Sequence, residues 1–289
     1  MTEKFNKIAL ITNDNSGAVK DTLNTVVDFL RTRAIRIVLD EYCFAMMPGT
    51  KLETGSAREL ARECDLGIAI GGDGTMLRAA HLLADRDVPL LGINRGRLGF
   101  LADIPAETVE EQLGQILDGN YVEDERFQLH CHVDRDGKTI AASDAFNDVV
   151  IQKWNIAKLI ELTTYVDQKL VNSQRSDGMI IASPTGSTAY ALSGGGPILY
   201  PSLDALVLVP ICPHTMSYRP IVIHGNSTVE VVVGTPEIDH ARLTCDGEIR
   251  SELAAGDRIV IHKKDRKIRL IHPANHDHFS ILRAKLQWG

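Results

Sequence analysis

The sequence predicts an α/β fold joined to an all-β fold, because its apolar residues are spaced differently in its two halves. In residues 5–119, short continuous apolar runs alternate with helical stretches, as in parallel strands that helices cover on both faces. After Tyr121, apolar residues recur with period two, which is typical of a β-sandwich or a closed sheet. We therefore expect an N-terminal Rossmann-like α/β domain, a C-terminal β-sandwich domain, and a C-terminal helix that returns to the first domain.

The first domain is expected to cover residues 1–120, with residues 274–289 packing back on it. Ser16 offers an N-cap for a helix that continues to Arg31 with its apolar residues on one face. Further helices are expected over residues 75–84 and 279–288. The buried strands are the apolar runs at residues 8–12, 35–39, 66–70 and 88–93.

The second domain is expected to cover residues 121–273. Asp136-Gly137 and Asp167-Gln168 separate alternating runs, so both pairs are predicted to be hairpin turns. The predicted strands lie at residues 128–133, 144–152, 159–166, 205–209, 228–233 and 258–262.

Composition limits the possible partners. The 289 residues are 44% hydrophobic and carry a net charge of −7, which disfavours binding to nucleic acid or to an anionic membrane. A phosphate-bearing ligand would therefore need backbone amides, a few cations or a metal. The five cysteines form no C-x-x-C pair and are expected to be small buried residues. The N-terminal apolar run is too short for a signal peptide, and no run of about 18 apolar residues occurs, so we expect a cytoplasmic protein.

The clearest chemical signal is the sequence GGDG at residues 71–74, between a predicted strand and a predicted helix. Glycines let the main chain approach a ligand closely, and a helix N-terminus favours a phosphate. Ligands of open α/β sheets bind at this end of the strands. Glycines that serve only a tight turn are the alternative, but such a turn would not require Asp73. The chain lacks both the P-loop and the G-x-G-x-x-G signature.

Three other segments carry candidate residues. Asn94 and Arg95 follow the strand at 88–93, and Arg95 and Arg97 could contact phosphates or be solvated surface arginines. Asn147 and Asp148 lie in an otherwise apolar strand, where polar side chains are costly unless they have a partner. Residues 175–197 combine hydroxyl residues with glycines. Their amides and hydroxyls could bind a nucleotide and Tyr190 could stack on a base, or the segment could be a structural loop.

Together these segments resemble the NAD kinase family along nearly the whole chain. The resemblance rests on GGDG at 71–74, on Asn94-Arg95-Gly96 with Leu98-Gly99-Phe100, on residues 147–150 and on residues 177–197. Pro213-His214-Thr215, Arg219-Pro220 and Cys245-Asp246-Gly247 add to it. GGDG also occurs in phosphofructokinases and in lipid kinases, whereas the run at residues 185–190 is much more specific.

The resemblance implies transfer of a phosphoryl group from ATP to the adenosine 2′-hydroxyl of NAD, with Mg²⁺ or another divalent cation, by a homodimer or homotetramer. Asp73 is similar to the family's proposed proton acceptor, and Asn147 and Asp148 match a pair that contacts ribose. The expected substrate-binding residues are Gly74, Arg78, Asn147, Asp148, Lys158, Arg175, Asp177, Thr185, Thr188, Ala189, Tyr190, Ala191, Leu192 and Ser193. The expected phosphate-binding residues are Gly71, Gly72, Gly74, Thr75, Asn94 and Arg95.

Two positions depart from the family pattern. Asp148 stands where the family usually has Glu, and Glu248 stands where it often has Gln. Two other functions remain open at this point: a GGDG kinase that acts on a lipid or a sugar phosphate, and a regulator that binds a dinucleotide without catalysis.

Overall fold

The chain folds into two compact units, of which the computed structural model describes residues 5–83, 86–96, 99–154, 158–215, 217–234 and 241–288. One unit contains Met1–Glu125 and Ile268–Gly289, and the other contains Arg126–Lys267. Two long strands each contribute residues to both units.

The secondary structure alternates in the first unit and is almost entirely β in the second. The strands are β1 (Lys7–Ile11), β2 (Arg36–Leu39), β3 (Glu53–Thr54), β4 (Leu66–Gly71), β5 (Leu90–Asn94), β6 (Ile104–Pro105), β7 (Tyr121–Arg135), β8 (Lys138–Ala145), β9 (Asp148–Lys153), β10 (Ile160–Val166), β11 (Lys169–Ser176), β12 (Gly178–Ala182), β13 (Ala205–Ile211), β14 (Ile221–His224), β15 (Val229–Val233), β16 (Ala241–Cys245), β17 (Glu248–Leu253) and β18 (Arg258–Pro273). The helices are α1 (Gly17–Thr32), α2 (Glu41–Met46), α3 (Ala57–Glu63), α4 (Asp73–Leu83), α5 (Val109–Leu117), α6 (Tyr190–Ser193) and α7 (His278–Leu286).

The first unit is built on a parallel sheet in the order β3-β2-β1-β4-β5, with β6 and the end of β18 also parallel to β5. Ser16 caps α1 as predicted, because its side chain accepts a hydrogen bond from the Val19 amide. Apolar residues of α1 and α5 pack with the buried strands in one core. The predicted Rossmann-like domain is confirmed, and the C-terminal helix α7 belongs to this unit.

The second unit is a sandwich of two sheets. One has the order β11-β10-β15-β18-β7-β8, and the other has the order β14-β13-β12-β9-β16-β17. Alternate residues of both sheets form a shared apolar core, which confirms the predicted β-sandwich. Asp136 and Gly137 both have positive φ, as do Asp167 and Gln168, so both predicted hairpin turns are confirmed.

Three expectations need correction. The strand expected over residues 144–152 is broken, because β8 ends at Ala145 and β9 begins at Asp148. The helix expected from Thr75 begins two residues earlier, and its expected last residue, Ala84, lies outside the described residues. Four cysteines are buried, but Cys212 is exposed because it sits in a turn with a φ of 43°. No helix in the described part of the chain has both the length and the apolar character needed to cross a membrane.

An ion pair with a buried carboxylate should stabilise the sandwich. Asp257 is fully buried and accepts hydrogen bonds from Arg135 Nε and Nη2, both at 2.7 Å. Arg135→Met would leave this carboxylate without its cation, so we expect the free energy of unfolding to fall by about 3 kcal/mol. Chemical denaturation followed by circular dichroism measures the loss.

Arg250→Met is the matched control for that experiment. Arg250 pairs with Glu248 at 2.8 Å, but the Glu248 side chain is 70% exposed, so the expected loss is below about 1 kcal/mol. Equal losses in the two variants would contradict the structural role of the Arg135–Asp257 pair.

Candidate functional site

The GGDG turn lies at the carboxyl end of β4, the position at which open parallel sheets bind ligands. Asp73 is the first residue of α4, so its carboxylate lies at the positive end of the helix. Gly72 and Asp73 are partly buried and Gly74 is exposed. The expected phosphate-binding turn is therefore accessible at the helix N-terminus.

The Asp73 carboxylate is held by three consecutive backbone N–H groups. Oδ2 accepts from the Phe100 amide at 2.9 Å, and Oδ1 accepts from the amides of Leu101 at 2.9 Å and Ala102 at 3.4 Å. A carboxylate offers about four acceptor positions, so one position on Oδ2 remains for a ligand. The backbone of residues 100–102 thus sets the direction in which that position points.

Gly99 allows this contact. A Cβ atom at Gly99 would lie 2.2 Å from Asp73 Oδ1, which is far below any normal contact distance. Leu98 and Arg97, which precede Gly99 in the motif, lie outside the described residues. The glycine of this motif therefore gives the carboxylate access to the amides that hold it.

The remaining candidate side chains of α4 are engaged within the same unit. Thr75 is buried, and its hydroxyl donates to Asn13 Oδ1 at 2.5 Å. Arg78 Nη1 donates to Asp40 Oδ2 at 2.5 Å and to the Thr12 carbonyl at 3.0 Å. These contacts fix α4 against residues that directly follow β1 and β2.

Asn94 and Arg95 lie beside the GGDG turn. The Arg95 amide donates to the Gly71 carbonyl at 2.8 Å, which joins the ends of β4 and β5. The Arg95 side chain donates to the Ala18 carbonyl at 3.1 Å and to Glu107 at 3.4 Å. Asn94 is the buried last residue of β5.

A cluster of one aspartate and two histidines anchors the segment that holds Asp73. Asp103 directly follows that segment, and its Oδ2 lies 2.9 Å from His272 Nδ1 and 2.6 Å from His276 Nδ1. Burial opposes ionisation of Asp103, yet the hydrogen bonds from the two histidines keep its pKa below the usual value. In the described part of the chain, this is the one group of such side chains close enough together to share a metal ion.

In the second unit, Asp246 interrupts the strand that contains Asn147 and Asp148. The Asp246 carboxylate accepts from the amides of Phe146 at 2.7 Å, Asn147 at 2.7 Å and Asp148 at 3.1 Å. Asp246 itself occupies a hairpin turn with Gly247, and both residues have positive φ. The three amides turn toward Asp246, which is why β8 and β9 are separate strands.

Asp148 is a carboxyl group in an unfavourable environment. Its side chain is buried, and burial together with the nearby Asp246 carboxylate raises its pKa to about 7. Both effects disfavour the charged form. At neutral pH this group can therefore either donate or accept a hydrogen bond.

The hydroxyl-rich segment after β12 is folded largely on itself. Ser183 Oγ donates to the Phe146 carbonyl at 2.6 Å, Ser187 Oγ to the Pro184 carbonyl at 2.6 Å, and Thr188 Oγ1 to the Thr185 carbonyl at 3.1 Å. Thr185 Oγ1 accepts from Arg126 at 3.2 Å. The Ser187 and Thr188 hydroxyls hold the 3₁₀ turn at Thr185–Thr188. The expected contacts of Thr185 and Thr188 with substrate stay predictions.

That turn packs directly on Asn147. A Cβ atom at Gly186 would lie 2.0 Å from the Asn147 carbonyl oxygen, so this position requires glycine. The close approach places Ala189 and Tyr190 next to Asn147 and Asp148. Tyr190 is 43% exposed, which leaves its ring free to contact a ligand.

These four residues line one cavity of about 430 Å³ within the second unit. Its remaining walls come from β9, from β16 and from the turn and strand that follow β16. The residues that complete the cavity are Val150, Gln152, Arg242, Thr244, Asp246, Gly247 and Ile249.

Other expected binding residues do not line this cavity. Asp177 pairs with Lys153 at 2.6 Å, and the side chains of Lys158 and Arg175 are exposed. All three remaining residues are on α6: Ala191 is buried in an apolar core, Leu192 is half-buried and Ser193 is exposed. Their proposed contacts with substrate remain predictions.

Sequence reasoning missed Gln152, Arg242 and Thr244. Gln152 lies four residues after Asp148 on the same face of β9, so period-two spacing could have indicated it. Arg242 and Thr244 lie opposite Gln152 and Val150 on β16. Their pairing depends on sheet register, which no local motif reveals.

The raised pKa of Asp148 should make stability depend on pH. An aspartate of the unfolded chain loses its proton near pH 4, whereas folded Asp148 keeps its proton until about pH 7. Between these values the folded state holds a proton that the unfolded chain has released. The free energy of unfolding contributed by this group therefore falls as pH rises from about 4 to about 7.

Asp148→Asn removes this titration, so the variant should lose less stability over that window. The expected difference is on the order of 1.4 kcal/mol per pH unit. Urea denaturation of both proteins at several pH values between 4 and 8 measures it. Parallel profiles for wild type and variant would show that Asp148 titrates normally.

Comparisons with known proteins cover the whole chain. Residues 8–121 match the family described as ATP-NAD kinase N-terminal domain, and residues 146–273 match the ATP-NAD kinase C-terminal domain. Proteins named NAD kinase from Pseudomonas putida (strain GB-1) and Hahella chejuensis (strain KCTC 2396) are 45% and 44% identical in sequence to this chain. Each alignment spans 99% of this chain and 97% of the relative.

Two solved structures are similar to this chain. Yeast NADH kinase complexed with NADH has a TM-score of 0.91, with 21% identity over 99% of this chain and 89% of that chain, and supports the fold. An NAD kinase from Archaeoglobus fulgidus in complex with ATP has a TM-score of 0.76, with 26% identity over 96% of this chain and 99% of that chain. Both family matches and the near-complete alignments agree with the resemblance found in the motifs: this chain belongs to the NAD kinase family.

Proposed function

We propose that this chain transfers the terminal phosphoryl group of ATP to the 2′-hydroxyl of the adenosine ribose of NAD, giving NADP and ADP. Membership of the NAD kinase family supports phosphorylation of NAD to NADP. The family membership also decides against a kinase for lipids or sugar phosphates. The observation that carries the mechanism is the Asp73 carboxylate, held by three amides with one acceptor position left.

Asp73 is proposed to orient the attacking hydroxyl and to take its proton. A sugar hydroxyl is a far weaker acid than a carboxylic acid, so Asp73 cannot remove the proton before attack. Phosphoryl transfer has a loose transition state, and the hydroxyl becomes acidic as its oxygen bonds to phosphorus. A carboxylate within hydrogen-bond reach can align the oxygen and accept the proton late.

The phosphates are proposed to bind at the N-terminus of α4, by the amides of residues 72–74, since the Thr75 amide already donates to the Gly72 carbonyl at 3.0 Å. Asn94 and Arg95 adjoin this turn through the contact between the Arg95 amide and the Gly71 carbonyl. Mg²⁺ prefers oxygen ligands, so we propose that it binds together with the oxygens of the triphosphate. Such a cation supplies the positive charge that this acidic protein lacks.

The cavity of the second unit is proposed to bind ribose and base. Asn147 and Asp148 present an amide and a carboxyl group to ribose hydroxyls, and Tyr190 can stack on a base. Asp148 is one methylene shorter than the glutamate usual in the family, so a water or a backbone shift would recover its reach. We also propose a cytoplasmic location and a homodimer or homotetramer.

A coupled assay of NADP formation tests the proposal. Purified protein should form NADP from NAD and ATP with Mg²⁺, and it should lose activity when the divalent cation is chelated. A protein that binds NAD without turnover in this assay would instead be a regulator. Parallel reactions with NADH and with polyphosphate define the acceptor and donor ranges.

Asp73→Asn should lower kcat by on the order of 10²–10⁴ while NAD still binds, because the variant cannot accept the proton. Its amide would also place a donor against the Phe100 amide, so thermal unfolding must be measured alongside. Near-normal turnover would exclude the proposed role.

Gly99→Ala tests the same role with the carboxylate kept. The added Cβ displaces Asp73 Oδ1, and we expect kcat to fall on the order of 10²-fold. Gly17→Ala is the matched control, since a Cβ there has no neighbour within 4 Å. Equal activity of the two variants would show that the position of Asp73 does not matter.

A further inference from the structure

The cavity of the second unit has two chemically different ends. Asp148, Asp246 and Tyr190 lie at one end, and Arg242 lies at the other. Asp148 and Gln152 are four residues apart on β9, which corresponds to about 13 Å along the strand. Val150 lines the space between them. The cavity can therefore hold a molecule with hydroxyl groups at one end and a different group at the other.

Arg242 is held in place by two neutral side chains. Gln152 lies directly opposite it across the β9–β16 pair. When the Gln152 amide is oriented with its oxygen facing the guanidinium, that oxygen accepts from Arg242 Nε at 3.0 Å and Nη2 at 3.2 Å. The guanidinium carbon lies 4.4 Å from the ring centroid of Trp154. These contacts restrict the side chain without neutralising its charge.

The charge of Arg242 is therefore available to a ligand. Among the described residues, no carboxylate pairs with Arg242, although arginine pairs with aspartate or glutamate are common in this chain. A guanidinium has five N–H donors, and Gln152 accepts from only two nitrogens. The unused donors and the charge suit a phosphate group, since arginine binds phosphate through paired hydrogen bonds.

We propose that Arg242 is an anion-binding residue that holds a phosphate group of the dinucleotide whose ribose lies at Asp148. This inference rests on the proposed function and extends it to a residue that the motifs do not include. The carboxyl end of the cavity repels phosphate and accepts hydroxyls, whereas the Arg242 end attracts phosphate. The opposite charges of the two ends orient the dinucleotide in one direction.

Arg242→Gln tests the proposal, with Arg250→Gln as the matched control. Arg250 is on the neighbouring strand β17, but it already pairs with Glu248. Calorimetric titrations of both variants with NAD, NADP and inorganic pyrophosphate measure binding without turnover. We expect Arg242→Gln to weaken NAD binding by about tenfold or more and Arg250→Gln to bind as the wild type does.

Comparison of NAD with NADP shows which phosphate group Arg242 binds. An equal loss for NAD and NADP assigns Arg242 to the shared pyrophosphate, whereas a loss confined to NADP assigns it to the added phosphate. Arg242→Lys, which keeps the charge but not the paired donors, should recover part of the affinity. In steady-state assays, Arg242→Gln should raise KM for NAD by a similar factor, with a smaller change in kcat and an unchanged KM for ATP.

Two results would overturn the proposal. The first is equal affinity of Arg242→Gln and Arg250→Gln for both dinucleotides, which would leave Arg242 as a packing partner of Trp154. The second is loss of pyrophosphate binding with unchanged affinity for the dinucleotides, which would assign the residue to a free anion. Absence of NADP formation by the wild type would refute the proposed reaction, and the calorimetric result for Arg242 would still stand.

Discussion

Two aspartates that each accept hydrogen bonds from three consecutive backbone amides organise both candidate sites. Asp73 accepts from residues 100–102, and Asp246 accepts from residues 146–148. Hydrogen bonds to a charged acceptor are shorter and stronger than neutral ones, and an amide left unpaired in a loop is costly. Each carboxylate therefore fixes a loop that would otherwise have several conformations.

The hydrogen bonds between carboxylate and amides have opposite roles at the two aspartates. For Asp73, the amides orient the carboxylate itself, so the functional group is held by the backbone. For Asp246, the carboxylate orients the backbone, and this places the Asn147 and Asp148 side chains in the cavity. The cost is that Asp148 is buried close to the Asp246 carboxylate, and both its burial and this neighbour raise its pKa. Preorganisation of this kind holds reacting groups in position before substrate binds.

Local signals in the sequence predicted local structure well. The Ser16 cap, the Asp136-Gly137 turn and the GGDG turn each depend on neighbouring residues, and all are found where expected. The break between β8 and β9 was not predictable, because Asp246 lies about a hundred residues further along the chain. The Arg242–Gln152 contact was missed for the same reason. The hydroxyls after β12 matched a nucleotide-binding pattern; those of Ser187 and Thr188 donate within their own turn, and that of Ser183 donates to the Phe146 carbonyl.

The division of the chain has a consequence for its synthesis. Ile268–Gly289 supplies the unit that contains GGDG with a strand beside β5, with the histidines that contact Asp103, and with α7. A ribosome makes these residues after the whole of Arg126–Lys267. The usual order, in which the N-terminal part of a chain completes its fold first, is therefore reversed here. The sandwich can therefore complete its fold during synthesis, before the unit that contains GGDG has received its last strand.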